Sequence, residues 1–175
     1  GGVHPTFLYE EVLENPNVDY VVKEEGELTL PELLLALEAE SDLSEVAGIS
    51  FRTDDGKVAT TAFRPFIEDL DSLGTAWDLI DWDEYTYFVI ENSRLASVST
   101  ARGCNHNCTF CSQQKFWRQT WRARAPEKVV DEIRMLRDTY GVNVVLLPDE
   151  FPTKDRDRWE KMMDLLIAED MGVYL

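Results

Sequence analysis

Apolar positions recur most regularly in the second half of the chain. "LASVST" (95–100) and "VNVVLLP" (142–148) are short apolar runs that predict buried strands. Between them Val129, Val130, Ile133, Leu136 and Tyr140 fall on one side of a helical period. Pro126 suits the first turn of that helix, and Gly141 suits its termination. Over residues 155–170, Trp159, Met162, Met163, Leu166 and Ile167 recur at i, i+3, i+4, i+7 and i+8, which predicts a second helix on an apolar stripe. Gly172 ends it, and "GVYL" (172–175) begins a third strand. This alternation of strand and helix predicts an α/β arrangement of parallel strands with right-handed crossovers.

The first half reads differently. Thr6 to Leu13 predicts a short helix, "DYVVK" (19–23) a buried strand and "EEGE" (24–27) a turn. Thr29 with Glu32 three residues on fits a capping box at the head of the helix "LPELLLALEAE" (30–40). "VAGISFRTDDGKVATTAF" (46–63) holds two strand-like runs around Asp54-Asp55-Gly56, a hairpin signal. "IEDLDSLGTAWDLIDWDEY" (67–85) is acidic and aromatic without a clean period, and predicts a connector packed along a neighbouring domain. Gly1-Gly2 opens without a methionine and "GVYL" stops inside a strand, so a fragment of a longer enzyme is expected.

With 44% hydrophobic residues, the 175-residue chain can build an ordinary core. No run approaches the roughly 20 apolar residues of a membrane span, and no signal peptide is visible. The default expectation is a cytoplasmic protein. The net charge of −17 is uneven: residues 1–91 carry 22 acids against 4 bases, and residues 92–175 carry 12 against 13. Phosphates would be repelled by the front half, so nucleic acid is a poor partner for it.

All three cysteines, Cys104, Cys108 and Cys111, lie within "CNHNCTFC" (104–111). An odd, clustered set argues against a disulfide framework. Thiolates this close can wrap one soft metal centre. Structural zinc sites take four ligands, and His106 as the fourth would be cramped between the first two cysteines. Iron–sulfur clusters ordinarily take four cysteines, so three would leave one iron open for chemistry. Cluster, zinc-bound interaction module and redox or structural thiol group all remain open on spacing alone. The loop leaves the end of one predicted parallel strand, and Pro148-Asp149-Glu150 leaves the end of the next. Both belong on one rim, where active sites of parallel barrels lie. Asp149 and Glu150 there serve either loop solvation and helix N-terminal charge or polar contact with a ligand.

"CNHNCTFC" resembles the C-x3-C-x2-C motif of the radical S-adenosylmethionine (SAM) enzymes, including aromatic Phe110 before the last cysteine. "GGVHPTF" and "DYVVKEEGE" resemble the end of a cobalamin-binding domain. "FCSQQKFWRQTWRAR" and "LLPDEFPT" resemble the cobalamin-dependent anaerobic magnesium-protoporphyrin monomethyl ester cyclase group. The resemblance implies residues 1–40 as the end of a Rossmann-like cobalamin-binding domain, 41–91 as a linker with a β-hairpin, and 92–175 as the first part of a partial (βα)6 barrel. It implies that Cys104, Cys108 and Cys111 bind a [4Fe–4S] cluster whose open iron chelates SAM. Reductive cleavage would then release a 5′-deoxyadenosyl radical. Phe110, Asp149 and Glu150 would lie near SAM, and Gly1, Gly2 and His4 on the side of the cobalamin. A flavodoxin or ferredoxin would supply the electron, and the substrate would be a small molecule, a tetrapyrrole in the cyclase group. Methyl-transferring and lipid- or RNA-modifying relatives are the alternatives.

Lys115, Arg118, Arg122 and Arg124 alternate with Phe116, Trp117 and Trp121. The mixture suits packing of aromatics under the loop with basic stems across them, stacking of single-stranded bases, or a flat ligand bearing carboxylates.

Overall fold

The computed structural model describes all residues, Gly1 to Leu175. The chain divides into two compact units, Gly1–Glu68 and Asp69–Leu175.

The first unit opens with two short helices, α1 (Val3–Phe7) and α2 (Tyr9–Leu13), in place of the single helix expected over Thr6–Leu13. Leu8 leaves the helical region at φ −115° and ψ 36°. Thr6 is engaged elsewhere, its Oγ1 accepting from the Glu24 N–H at 2.9 Å, while Leu13 turns into the interior. Strand β1 (Tyr20–Val22) pairs antiparallel with β2 (Ile49–Arg52), which pairs antiparallel with β3 (Val58–Thr60). The hairpin expected within 41–91 thus supplies two of the three strands in this unit's sheet. Helix α3 (Thr29–Glu38) packs Leu33 against Val46 and Ile49.

The expected capping box at Thr29 does not form. Thr29 already lies inside the helix, its Oγ1 donating to the Glu25 carbonyl and accepting from Arg64 Nε at 2.9 Å. Glu32 is drawn to the guanidinium of the same Arg64. A distant arginine satisfies both side chains, so neither is left for the helix end.

In the second unit β4 (Leu95–Ser97) and β7 (Val144–Leu146) pair in parallel, Ala96 opposite Val145. The third strand is limited to one parallel bridge, Val144 to Tyr174. Between β4 and β7 run β5 (Ala101–Gly103), α4 (Gln113–Phe116), β6 (Trp121–Ala123) and α5 (Pro126–Tyr140); α6 (Arg156–Ala168) follows β7. The core joins Ala96, Val98 and Val145 of the strand layer to Val129, Ile133 and Leu136 of α5 and to Met162 and Leu166 of α6. Helix α5 ends as predicted: Gly141 adopts φ 71°, a left-handed conformation that costs an L side chain strain, and donates to the Arg137 carbonyl. Asp155 caps α6 by accepting from the Arg158 N–H at 3.0 Å.

The aperiodic segment before β4 joins this unit through its indoles. Trp82 stacks on Tyr140 at 5.1 Å, and Trp77 donates to the buried Glu132 carboxylate at 2.7 Å. One apolar position departs from the expected helix face. Ile167 is 75% exposed, because α6 buries only the stripe centred on Met162 and Leu166. Met162→Ala should therefore cost about 2–5 kcal/mol and Ile167→Ala less than about 0.5 kcal/mol, measured by urea denaturation of the chain.

Candidate metal centre

The parallel pairing of β4 and β7 brings two strand ends to one edge of the sheet. The chain leaves β4 through Val98, Ser99 and Thr100, forms β5, and enters the cysteine loop at Cys104. It leaves β7 through Leu147 and Pro148 to reach Asp149, Glu150 and Phe151.

A small antiparallel ribbon carries the loop. Strands β5 and β6 pair with Gly103 opposite Trp121, so residues 104–120 form a closed excursion from one pair of strands. Gly103 makes this closure possible. Its φ is +89°, and a Cβ there would sit 2.4 Å from the Thr120 carbonyl oxygen. The ribbon was not foreseen, since "ARG" and "WRA" are too short to show alternation.

Within the loop the Cys111 N–H donates to the Cys108 carbonyl at 3.1 Å, and Gln114 Nε2 donates to the same oxygen at 2.9 Å. The last two cysteines are therefore held one turn apart. All three thiols are free; Cys104 and Cys111 are partly buried and Cys108 is exposed. His106 turns from the thiols toward Phe151, with ring centroids 4.9 Å apart. Phe110 projects from the loop, 91% exposed. Among the described residues no three His, Cys, Asp or Glu side chains converge on a point suited to a single ion. Three thiols spread around a loop are a soft donor set, and they suit a polynuclear sulfide centre held at separate corners better than one hard cation.

Asp149 and Glu150 sit on the edge where the sequence places them, and their oxygens are engaged with the chain. Asp149 accepts from Ser99 Oγ at 3.0 Å, from the Thr100 N–H at 2.9 and 3.1 Å, and from Thr100 Oγ1 at 2.5 Å. Glu150 accepts from the Gly103 N–H at 3.2 Å and from Trp117 Nε1 at 2.8 Å. The Phe151 carbonyl accepts from Trp121 Nε1 at 2.9 Å. Sequence reasoning did not find these partners, because nothing in the order of residues pairs 149–151 with 99–121.

Two arginines brace the same segment through its carbonyls. Arg158 Nη2 donates to the Thr100 carbonyl at 2.6 Å and Nε to the Arg124 carbonyl at 2.8 Å. Burial pushes the Arg158 guanidinium below its usual range, opposed by the charges of Asp149, Asp155 and Asp71. Arg124 donates to the Ser99 carbonyl at 3.1 Å and pairs with Asp71 and the buried Glu132. Removing one partner of that buried pair would strand a charge, at a cost of about 3–5 kcal/mol.

The aromatic and basic stretch resolves into packing. Phe116 and Trp117 are buried and meet edge to face at 4.8 Å, with Arg122 across Trp117 and Lys154 across Trp121. Lys115 and Arg118 stay exposed. Gly1, Gly2 and His4 lie at the start of α1 in the first unit, all three exposed; Gly2 has φ +90° and its carbonyl accepts from the Thr6 N–H at 3.1 Å.

The profile of the radical SAM superfamily matches residues 98–175. An anaerobic magnesium-protoporphyrin IX monomethyl ester cyclase of Rubrivivax gelatinosus is 42% identical over 99% of this chain and 32% of its own length. A cytidylyl-2-hydroxyethylphosphonate methyltransferase of Streptomyces wedmorensis is 33% identical over 90% of this chain and 34% of its own. The chain thus spans about a third of the length of these curated relatives. Among solved structures, the cobalamin-dependent SAM radical enzyme OxsB with aqua-cobalamin bound superposes with a TM-score of 0.72 at 23% identity, over 95% of this chain and 23% of that one.

Gly103→Ala should open the ribbon and expose the loop to proteolysis, read as faster cleavage within 104–120 by limited digestion. A digestion pattern unchanged from the parent would show that the close approach to Thr120 is not needed.

Proposed function

We propose that the chain is part of a radical SAM enzyme, the superfamily whose profile matches residues 98–175, and that Cys104, Cys108 and Cys111 bind a [4Fe–4S] cluster with one iron left for SAM. The observation that carries this is a three-thiol loop at the carboxyl edge of a parallel strand pair. When bound, the cluster and SAM would supply a 5′-deoxyadenosyl radical. The chain's own contribution is placement. The ribbon β5–β6 presents the cysteines, and Phe110, open on the loop, offers a flat apolar face to the adenine. Asp149 and Glu150 border the nucleoside or methionine part of SAM from the neighbouring strand end.

The full-length protein is proposed to use cobalamin as well, with Gly1, Gly2 and His4 on its side of the molecule; the likeness to the OxsB fold supports this. The identity with the cyclase supports a tetrapyrrole substrate, whose carboxylates Lys115 and Arg118 could meet. The identity with a phosphonate methyltransferase supports a second reading, methyl transfer to a small molecule. A flavodoxin or ferredoxin would deliver the electron.

Anaerobic reconstitution of the full-length protein tests the first step. The parent should take up iron and sulfide and release 5′-deoxyadenosine from SAM under reduction. Cys108→Ala should lose both, and an unchanged iron content in that variant would sink the assignment. Turnover of magnesium-protoporphyrin IX monomethyl ester separates the two readings: an oxidised ring product supports the cyclase, and a methylated product supports the transferase.

A further inference from the structure

Three consecutive residues after β7 reach five places in and around the cysteine loop. Asp149 holds its entry at Ser99 and Thr100. Glu150 holds Gly103, the residue before Cys104, and at the same time Trp117, which follows α4. Phe151 holds Trp121 through its carbonyl and His106 through its ring. Entry, interior and exit of the excursion are thus tied to one short segment from another strand.

Glu150 is the centre of this arrangement. Its Oε2 takes the main-chain N–H of Gly103, and its Oε1 takes the indole N–H of Trp117. A carboxylate is the side chain that can accept from two separate donors on two oxygens without supplying a donor of its own. Trp117 is buried, so its N–H would be costly to leave without a partner. Charge-assisted bonds of this kind are stronger than neutral ones. Gly103 and Trp117 are therefore held at the spacing that one carboxylate spans.

We infer that Asp149–Phe151 form a clasp for the cysteine loop, with Glu150 a positioning residue that sets the spacing of the thiols through Gly103 and Trp117. This inference rests on the cluster reading above and deepens it: besides bordering SAM, Glu150 acts on the metal centre through the loop. Partners that orient metal ligands from outside typically matter by roughly 10- to 100-fold in metal retention.

The test uses the full-length protein reconstituted without oxygen. Loss of the cluster's visible absorption to an iron chelator is timed in the parent and in Glu150→Ala, Glu150→Gln and Trp117→Phe. Glu150→Ala should lose the cluster roughly 10- to 100-fold faster. Glutamine keeps one carbonyl acceptor and can serve only one of the two donors, so Glu150→Gln should fall between. Trp117→Phe should move the same way as Glu150→Ala, and the double variant should be no worse than Glu150→Ala, since both remove one shared bond. The cluster's midpoint potential should shift in the same order, a readout that loss of global stability would leave alone. Should Glu150→Ala fail to fold, Glu150→Gln and Trp117→Phe decide.

Retention within about twofold of the parent in all these variants would overturn the clasp. So would weaker SAM binding by Glu150→Gln with unchanged cluster loss and potential, which would make Glu150 a ligand contact. Hydrogen exchange over residues 103–111 of the metal-free full-length protein reads the clasp independently. Exchange there should quicken in Glu150→Ala even if the parent takes up no iron, an outcome that would defeat the cluster reading while leaving the clasp standing.

Discussion

The carboxylate of Asp149 is what makes two strand ends into one site. A chain that leaves a buried parallel strand carries main-chain N–H groups that the sheet no longer serves, and each needs a partner. At Thr100 that partner is Asp149, which also collects the hydroxyls of Ser99 and Thr100. The bond crosses from the end of β7 to the end of β4 and fixes where the cysteine excursion starts. The carbonyls of the same two residues accept from Arg124 and Arg158. Donors and acceptors of one short connection are thus met by three different elements, which leaves that connection little freedom.

Charge is distributed to serve this arrangement. The chain carries −17 in all, yet residues 92–124 hold six bases and no acid. Their counter-charges come from elsewhere in the same unit: Asp71 before β4 and Glu132 of α5 for Arg124, Asp83 for Arg94. Trp77 donates to the same Glu132, so the aperiodic segment is held by polar bonds to α5 as well as by the stacking of Trp82. A buried charge network of this kind contributes less to stability than to a single defined arrangement, because desolvation offsets much of its attraction.

The parts of this structure that sequence pattern makes legible are those in which a residue's neighbours along the chain decide its state. The helix from Pro126 to Tyr140 shows its stripe, its starting proline and its closing glycine within fifteen residues. The strand pair β4–β7 follows from two apolar runs with a helix between them. The thiols of 104–111 declare themselves by spacing. What was hidden depends on partners far along the chain. Thr29 and Glu32 have the order of a capping box, but Arg64 takes both. Ile167 fits the period of α6, but the core ends at Leu166. Trp117 and Trp121 suit packing or stacking alike until the acceptors at Glu150 and Phe151 are placed beside them.

The clasp residues are consecutive, and their acceptors face fixed points at Thr100, Gly103, Trp117 and Trp121. Shortening or lengthening Leu147–Pro148 by a single residue would displace all of those acceptors at once, whereas exchanging either of those two side chains leaves the acceptors in place. Among natural variants, Leu147–Pro148 should therefore drift in composition far more readily than in length.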